Sequence, residues 1–320
     1  MATVEPSACP PLKAQPITAV QPGGGTCMSL ELAWGRLRRH VLRRGFPNYV
    51  AKMAAQRQGE CPNCPHDVID SRDLKYYRNV CGYWFREEDD EFRGRDDLGI
   101  ARLGLAEIVC FSFGWFCLTM LVLFLAMEVH WAVNILLLPI AVFWAFTIAF
   151  FRDPERRIPD DPDALVSPAD GTITHIEETA DPDFPGGRAF RISIFLSVFN
   201  VHVNRLPRAG KVAALAYYPG DFLDARHPQC GTANEQLWID LDDAATGKRL
   251  RIKQIAGKIA RRIVCTLKVG EEVERGARLG LIKFGSRTEV YLPTDLPVDV
   301  NVKIGDNVSG GSTVLLRFKR

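Results

Sequence analysis

Two stretches of the chain carry no charge. Ile108 to Met127 is the first and Trp131 to Phe151 the second, with Glu128, Val129 and His130 between them. Each has about the 20 residues that a helix needs to cross a bilayer. Both are apolar on every face, whereas a core helix shows one apolar stripe. Arg93, Arg95 and Arg102 precede the pair, and Arg152, Arg156 and Arg157 follow it. The positive-inside rule then predicts a helical membrane hairpin over residues 105–151, with both flanks in the cytoplasm.

The pattern changes on either side. Residues 1–30 are rich in Pro, Gly, Ala and Thr without periodicity, which predicts disorder. Residues 30–57 place Leu30, Trp34, Leu37 and Val41 on one helical face among arginines. That face suits either an interfacial helix on anionic lipid or an ordinary solvated basic helix. Residues 1–57 are therefore read as a tail plus a basic amphipathic helix, and 58–100 as a Cys-rich segment. From residue 152 onward, short β-branched runs alternate with Pro and Gly at a spacing of about ten residues, which predicts a β-rich sandwich or barrel. The predicted class is α+β: a membrane hairpin followed by a barrel-sandwich-type β domain over 152–320. Within that domain, "KVGEEVERGARLGLI" and "KIGDNVSGGSTVLLR" repeat at an offset of 35, pairing Gly270 with Gly305 and Gly276 with Gly311. Lipoyl and biotinyl carrier domains pack two such hairpins as the halves of a small barrel.

Composition narrows the function. Forty basic and 38 acidic residues leave a formal net charge of +2 over 320 residues, too little basic excess for a nucleic-acid binder. Of nine cysteines, Cys230 and Cys265 lie far apart in the C-terminal half, where no spacing suggests a disulfide framework; a reducing compartment is expected there. Cys61 and Cys64 have the C-x-x-C spacing of a zinc knuckle, and Cys81 begins half of a second one. A fourth thiolate is missing, and His66 is the nearest alternative ligand. The segment reads either as a structural zinc site on Cys61, Cys64 and Cys81 or as a loop with free thiols.

The strand-like segment "KFGSRTEVYLP", residues 283–293, is interrupted by Gly285 and Ser286. Most Gly-Ser pairs are loops or bulges. This one also permits chemistry: a serine hydroxyl can attack the carbonyl of its preceding residue, and glycine tolerates the strained backbone required. The resulting ester can eliminate and hydrolyse to a pyruvoyl ketone, an electron sink for an amine substrate. Asp170, in "SPADGTI", reads as a turn residue or as an orienting carboxylate. His202, in "IFLSVFNVHVNR", reads as a packed histidine or as a proton carrier.

Seven segments in one order, "FFRDPERRIP", "SPADGTI", "IFLSVFNVHVNR", "YYPGDF", "NEQLWI", "IAGKIARRIV" and "KFGSRTEVYLP", resemble the phosphatidylserine decarboxylases, which are self-cleaving pyruvoyl enzymes. The resemblance covers residues 131–320 and is nearest to the short bacterial and archaeal form. It implies that Gly285–Ser286 is the cleavage site and that Ser286 becomes the covalent pyruvoyl group. It also implies a β chain ending at Gly285 and an α chain of 286–320, which remain together as a heterodimer. Asp170 matches the aspartate of the self-cleavage relay, and His202 the histidine linked to proton transfer during decarboxylation. The longer bacterial form carries a second histidine where this chain has Arg205, and arginine cannot serve as a general base. Either His202 does both jobs or another group activates Ser286. The substrate implied is phosphatidylserine in the bilayer, met at the cytoplasmic side of the cell (inner) membrane. The rival without catalysis is a membrane-tethered, lipoyl-like adaptor or carrier, which needs a lysine at a hairpin tip; Lys283 beside Phe284 and Lys303 in a predicted strand both fit that poorly.

Overall fold

The structure, a computed structural model, describes residues 12–181, 184–258, 262–283 and 285–319. Its contacts divide the chain into two compact units. One comprises 24–155 with Val201–Val203; the other comprises the residues up to Gly23, Arg156–Asn200 and Asn204 onward.

The first unit is helical. Helices α1 (Thr26–Gly45) and α2 (Pro47–Gln56) replace the single helix expected over 30–57. The break falls at Phe46 because Pro47 lacks an N–H and pushes its predecessor out of the helical region. The apolar face of α1 is not buried: Leu30, Trp34, Leu37 and Val41 are each about half exposed or more. Helix α3 (Leu105–Glu128) and a 3-10 turn leading into α4 (Leu137–Phe150) are long and apolar enough to cross a membrane, and few of their residues are buried. Two reciprocal bonds tie them: Trp115 Nε1 donates to Thr147 Oγ1 at 3.2 Å and Trp144 Nε1 to Ser112 Oγ at 2.9 Å. An indole N–H in hydrocarbon has no water to satisfy it, so these partners matter. The hairpin's two ends are pinned where Ala101 N–H donates to Phe151 O at 2.8 Å.

The second unit is the β domain. Its strands are β1 (Ala164–Val166), β2 (Gly171–Ala180), β3 (Arg188–Leu196), β4 (Val203–Arg205) and β5 (Gly210–Tyr218). After the short helix α5 (Cys230–Ala233) come β6 (Gln236–Asp243), β7 (Arg249–Ala256), β8 (Arg262–Cys265), β9 (Glu272–Val273) and β10 (Arg278–Lys283). The last are β11 (Ser286–Pro293), β12 (Val298–Val300), β13 (Asn307–Val308) and β14 (Val314–Phe318). An eight-stranded antiparallel sheet runs β13-β2-β3-β11-β7-β6-β5-β9, accompanied by two three-stranded sheets. The β-rich fold class read from the sequence holds.

The internal repeat is structural. Its short strands, β9 and β13, close opposite ends of the large sheet. Gly270 and Gly305 turn at φ 87 and 96, and Gly276 and Gly311 at 79 and 77, so each pair shares one backbone conformation. Ile158 packs against both Gly276 and Gly311, where a Cβ would stand 2.3 and 3.0 Å from its Cδ1. Val290 and Leu292 of β11 join Ile192, Ile194 and Leu196 of β3 in one apolar cluster, while Leu237, Ile239, Ile252 and Ala256 anchor a second.

The expected disordered tail is corrected in part. Residues 1–11 lie outside the described residues, but 12–23 pack onto the β domain. Gln15 bridges Tyr217, Val20 is fully buried, and its carbonyl accepts from Cys265 N–H at 2.9 Å. The apolar triplet Ile17, Ala19 and Val20, scattered among polar residues, is enough to dock an otherwise irregular segment.

Candidate active site

Ser286 opens β11 between β3 and β7, opposite Leu196 on one side and Ala256 on the other. Strand alternation puts Ser286 and Thr288 on the face of Val290 and Leu292, toward the interior. Ser286 is fully buried, and its Oγ has no hydrogen-bond partner among the described residues. An unpaired buried hydroxyl is costly and therefore asks for an explanation. Gly285 before it stands at φ 62, the left-handed region that a side chain resists. Its carbonyl, the electrophile that Ser286 would attack, is seated against Gly257. A Cβ at residue 257 would fall 2.4 Å from Gly285 O. Gly257 thus makes room for the Gly285 carbonyl. Residues 259–261 of the "IAGKIARRIV" motif, and Phe284, lie outside the described residues.

Around Ser286 lies a second set of residues that sequence reasoning missed. Gln254 stands directly opposite Thr288, and its Nε2 donates to Asn204 Oδ1 at 2.7 Å. Asn204, Gln254 and Thr288 are all fully buried. The only sequence signal was polar residues at even positions of otherwise apolar strands.

The opposite face of β11 carries a network of charged and polar groups. Arg287 Nη1 donates to Cys230 Sγ at 3.0 Å, and its Nη2 meets His175 Nδ1 at 2.9 Å. Glu289 accepts from Ser193 Oγ at 2.8 Å and from Tyr291 OH at 2.7 Å. Arg287 and Arg191 flank the same carboxylate at 3.4 and 3.7 Å. Burial, reinforced by the Arg287 guanidinium, holds His175 below the usual imidazole range. Burial also raises the Cys230 thiol, with Arg287 opposing.

The other sequence-predicted residues sit as follows. Asp170, at the head of β2, accepts both oxygens' bonds from Arg156 Nη2 at 2.9 Å and one from Gly310 N–H at 2.7 Å. One strand, β3, separates β2 from β11, about 10 Å of sheet from strand to strand. His202 is buried and belongs with the helical unit, its ring 4.2 Å from that of Phe150. Arg205 donates to Gly276 O at 3.1 Å and so braces one repeat turn. Cys61, Cys64 and Cys81 do converge, with sulfurs all within 4.8 Å. Cys61 and Cys64 are joined as a disulfide instead of being free thiols, and Cys81 Sγ lies 3.0 Å from Cys64 Sγ. His66 is not part of that group and stacks against Tyr77. Lys283 is buried, its Nζ 3.0 Å from Gln21 Oε1, which removes it as a carrier lysine. Lys303 is exposed and precedes the Ile304–Gly305 turn; it does not lie in a strand.

A model of the phosphatidylserine decarboxylase family matches residues 143–316, more than half of the chain. A phosphatidylserine decarboxylase proenzyme of Rhodopirellula baltica is 40% identical over 248 residues, 77% of this chain and all of that protein. One from Desulfotalea psychrophila is 53% identical over 171 residues, covering 53% of this chain and 78% of its own. One from Symbiobacterium thermophilum is 47% identical over 194 residues, 61% of this chain and 87% of its own. The segment matched holds the buried Ser286, the left-handed Gly285 and the Gly257 that seats its carbonyl, and the chain belongs to the phosphatidylserine decarboxylase family.

Proposed function

We propose that this chain is a self-processing decarboxylase of phosphatidylserine, releasing phosphatidylethanolamine and carbon dioxide at a membrane. One observation carries the reading: a fully buried serine hydroxyl without a partner, next to a left-handed glycine whose carbonyl is held in place. In processing, Ser286 Oγ bonds to the Gly285 carbonyl carbon as the peptide C–N bond breaks, leaving an ester. Loss of the Ser286 α-proton then breaks the Cβ–Oγ bond and frees Gly285 as a carboxylate. One water enters and ammonia leaves to give the pyruvoyl group at residue 286. The residues present fit such a group, since an enclosed serine with no competing hydrogen bond is free to be consumed. When formed, the ketone supplies the electron sink for loss of the substrate's carboxylate.

This chain's other residues support that chemistry. Gly257 holds the scissile carbonyl, and Asp170 anchors the β2 turn through Arg156 and Gly310. The family resemblance gives Asp170 the relay role and His202 the proton transfer. After cleavage the α and β chains stay paired, because β11 is hydrogen-bonded between β3 and β7. The two apolar helices suit a tether to a membrane that holds the lipid substrate, and the arginines flanking them favour the cytoplasmic side for the domain. In reduced form, Cys61, Cys64 and Cys81 would hold a structural zinc. The three sulfurs lie within 4.8 Å of one another, close enough to share one ion once the disulfide is opened. Zinc retained by the reduced protein and lost from Cys81→Ser supports that site; a metal-free reduced protein refutes it.

Intact masses of the purified protein and of Ser286→Ala test the central reading. The expected result is a fragment of residues 286–320, lighter than its serine form by one ammonia on loss and gain of the stated atoms, and absent from the variant. A single uncut chain in a folded sample would overturn it.

A further inference from the structure

Four polar atoms in the interior beside the proposed cleavage site have no hydrogen-bond partner among the described residues: Ser286 Oγ, Thr288 Oγ1, Gln254 Oε1 and Asn204 Nδ2. All four residues are fully buried. They are neighbours by construction. Thr288 follows Ser286 on the same face of β11, Gln254 is the cross-strand partner of Thr288, and Asn204 is bonded to Gln254. Natural interiors pair such groups, so four orphans in one place point to something that binds there. By contrast, the charged groups on the other face of β11 are joined to one another.

The chemistry of the cluster limits what that ligand is. The amide pair uses one N–H and one carbonyl in its mutual bond, leaving one donor and one acceptor whichever way the two amides are turned. Thr288 adds a hydroxyl that donates or accepts. The cluster therefore presents neutral donors for a carboxylate and a neutral acceptor for an amine N–H. No formal charge is present among the four. An amino-acid headgroup, with an amine and a carboxylate on one carbon, satisfies both halves; an ethanolamine headgroup leaves the carboxylate half empty.

We propose that Asn204, Gln254 and Thr288 form the subsite for the amino-acid headgroup, binding its carboxylate and amine beside residue 286. This rests on the decarboxylase reading above and adds its specificity. A neutral subsite suits the reaction, because a cation would stabilise the carboxylate in the ground state and slow its departure. It also favours release of a product that has lost the carboxylate.

The test uses the full chain in mixed micelles. Wild type, Thr288→Val, Thr288→Ser and Asn204→Leu are first checked by mass for self-cleavage. Reductive trapping of phosphatidylserine on the 286–320 fragment, followed by mass at rising lipid concentration, then reads headgroup binding without relying on turnover. Inhibition by phosphatidylethanolamine is measured beside KM and kcat. The expected result is normal cleavage with half-trapping and KM raised tenfold or more in Thr288→Val and Asn204→Leu. Thr288→Ser should restore both, and phosphatidylethanolamine inhibition should stay within twofold throughout. Unchanged trapping in matured variants would overturn the subsite, as would equal weakening of substrate and product. A block of self-cleavage in Thr288→Val would also overturn it and assign the cluster to processing instead. Thr288→Val preserves side-chain shape, so it carries the test if Asn204→Leu fails to fold. The decarboxylase reading itself fails separately, by an uncut wild-type chain.

Discussion

The two faces of β11 are built on opposite rules. On the outer face Arg287, Glu289 and Tyr291 share a densely bonded network, in which Glu289 engages Ser193, Tyr291 and two arginines and only the arginines' Nε atoms go without a hydrogen bond among the described residues. On the inner face, one residue away each time, Ser286 and Thr288 carry hydroxyls with no partner. A saturated network fixes a strand in place; an unsaturated one keeps atoms free to react or bind. The same eight residues thus hold the proposed cleavage site from one side and leave it chemically available on the other.

Gly257→Ala should break the arrangement most severely after loss of Ser286 itself. The added methyl would sit 2.4 Å from Gly285 O, a backbone atom that cannot swing aside as a flexible side chain would. We expect self-cleavage to fall at least a hundredfold, about 3 kcal/mol in barrier, read as fragment formed against time. Cleavage at the wild-type rate would show that the carbonyl's seat is irrelevant to processing.

Glu289→Ala attacks the saturated face. It strands Arg287 and Arg191 beside an empty site in a fully buried position, and removal of one partner from such a pair costs about 3–5 kcal/mol. Denaturant melting of the detergent-solubilised protein should show that loss. A change under about 1 kcal/mol would mean that the network is ornamental.

These contrasts mark how far the sequence could be read. The two long apolar helices were legible because twenty uncharged residues leave few alternatives, and the repeat was legible because paired glycines encode one turn. The motif drew attention to Gly285–Ser286, whose serine the fold buries at the start of β11. The docking of residues 12–23 was not, since three small apolar residues show no period. Gln254 and Asn204 were hidden for a different reason. Their meaning lies in a cross-strand pairing between segments 50 residues apart, which no local pattern records. The separation of Asp170 from β11 by β3 was equally invisible, because it is a matter of strand order.

Glu235, just before β6, lies beside Tyr217 and Arg262 and provides a separate test of burial by pH. It is buried, one carboxylate oxygen is unpartnered, and burial pushes its carboxyl up to about 7 despite Arg262 and the Tyr217 hydroxyl. A raised carboxyl favours the protonated folded state. Its contribution to stability is therefore full below about pH 4.5 and is lost as pH climbs through about 7. That amounts to at most about 3 kcal/mol. Glu235→Gln should flatten this part of the stability–pH curve, and an unchanged slope between pH 5 and about 7 would assign it to other groups.

Thr288→Val is the smallest effect expected and the sharpest comparison with Glu289→Ala next door. Removing a buried hydroxyl that has no partner forfeits no hydrogen bond, and the new methyl fills nearly the same volume beside Val290. The desolvation cost of the hydroxyl disappears with it, so stability should stay within about 0.5 kcal/mol of wild type or rise. Adjacent residues on one strand would then differ by several kcal/mol in what their substitution costs, with the order set by hydrogen-bond saturation and not by burial, which is complete at both. A loss above about 1 kcal/mol at Thr288 would show that its hydroxyl is engaged in the folded precursor and that the inner face is as closed as the outer one.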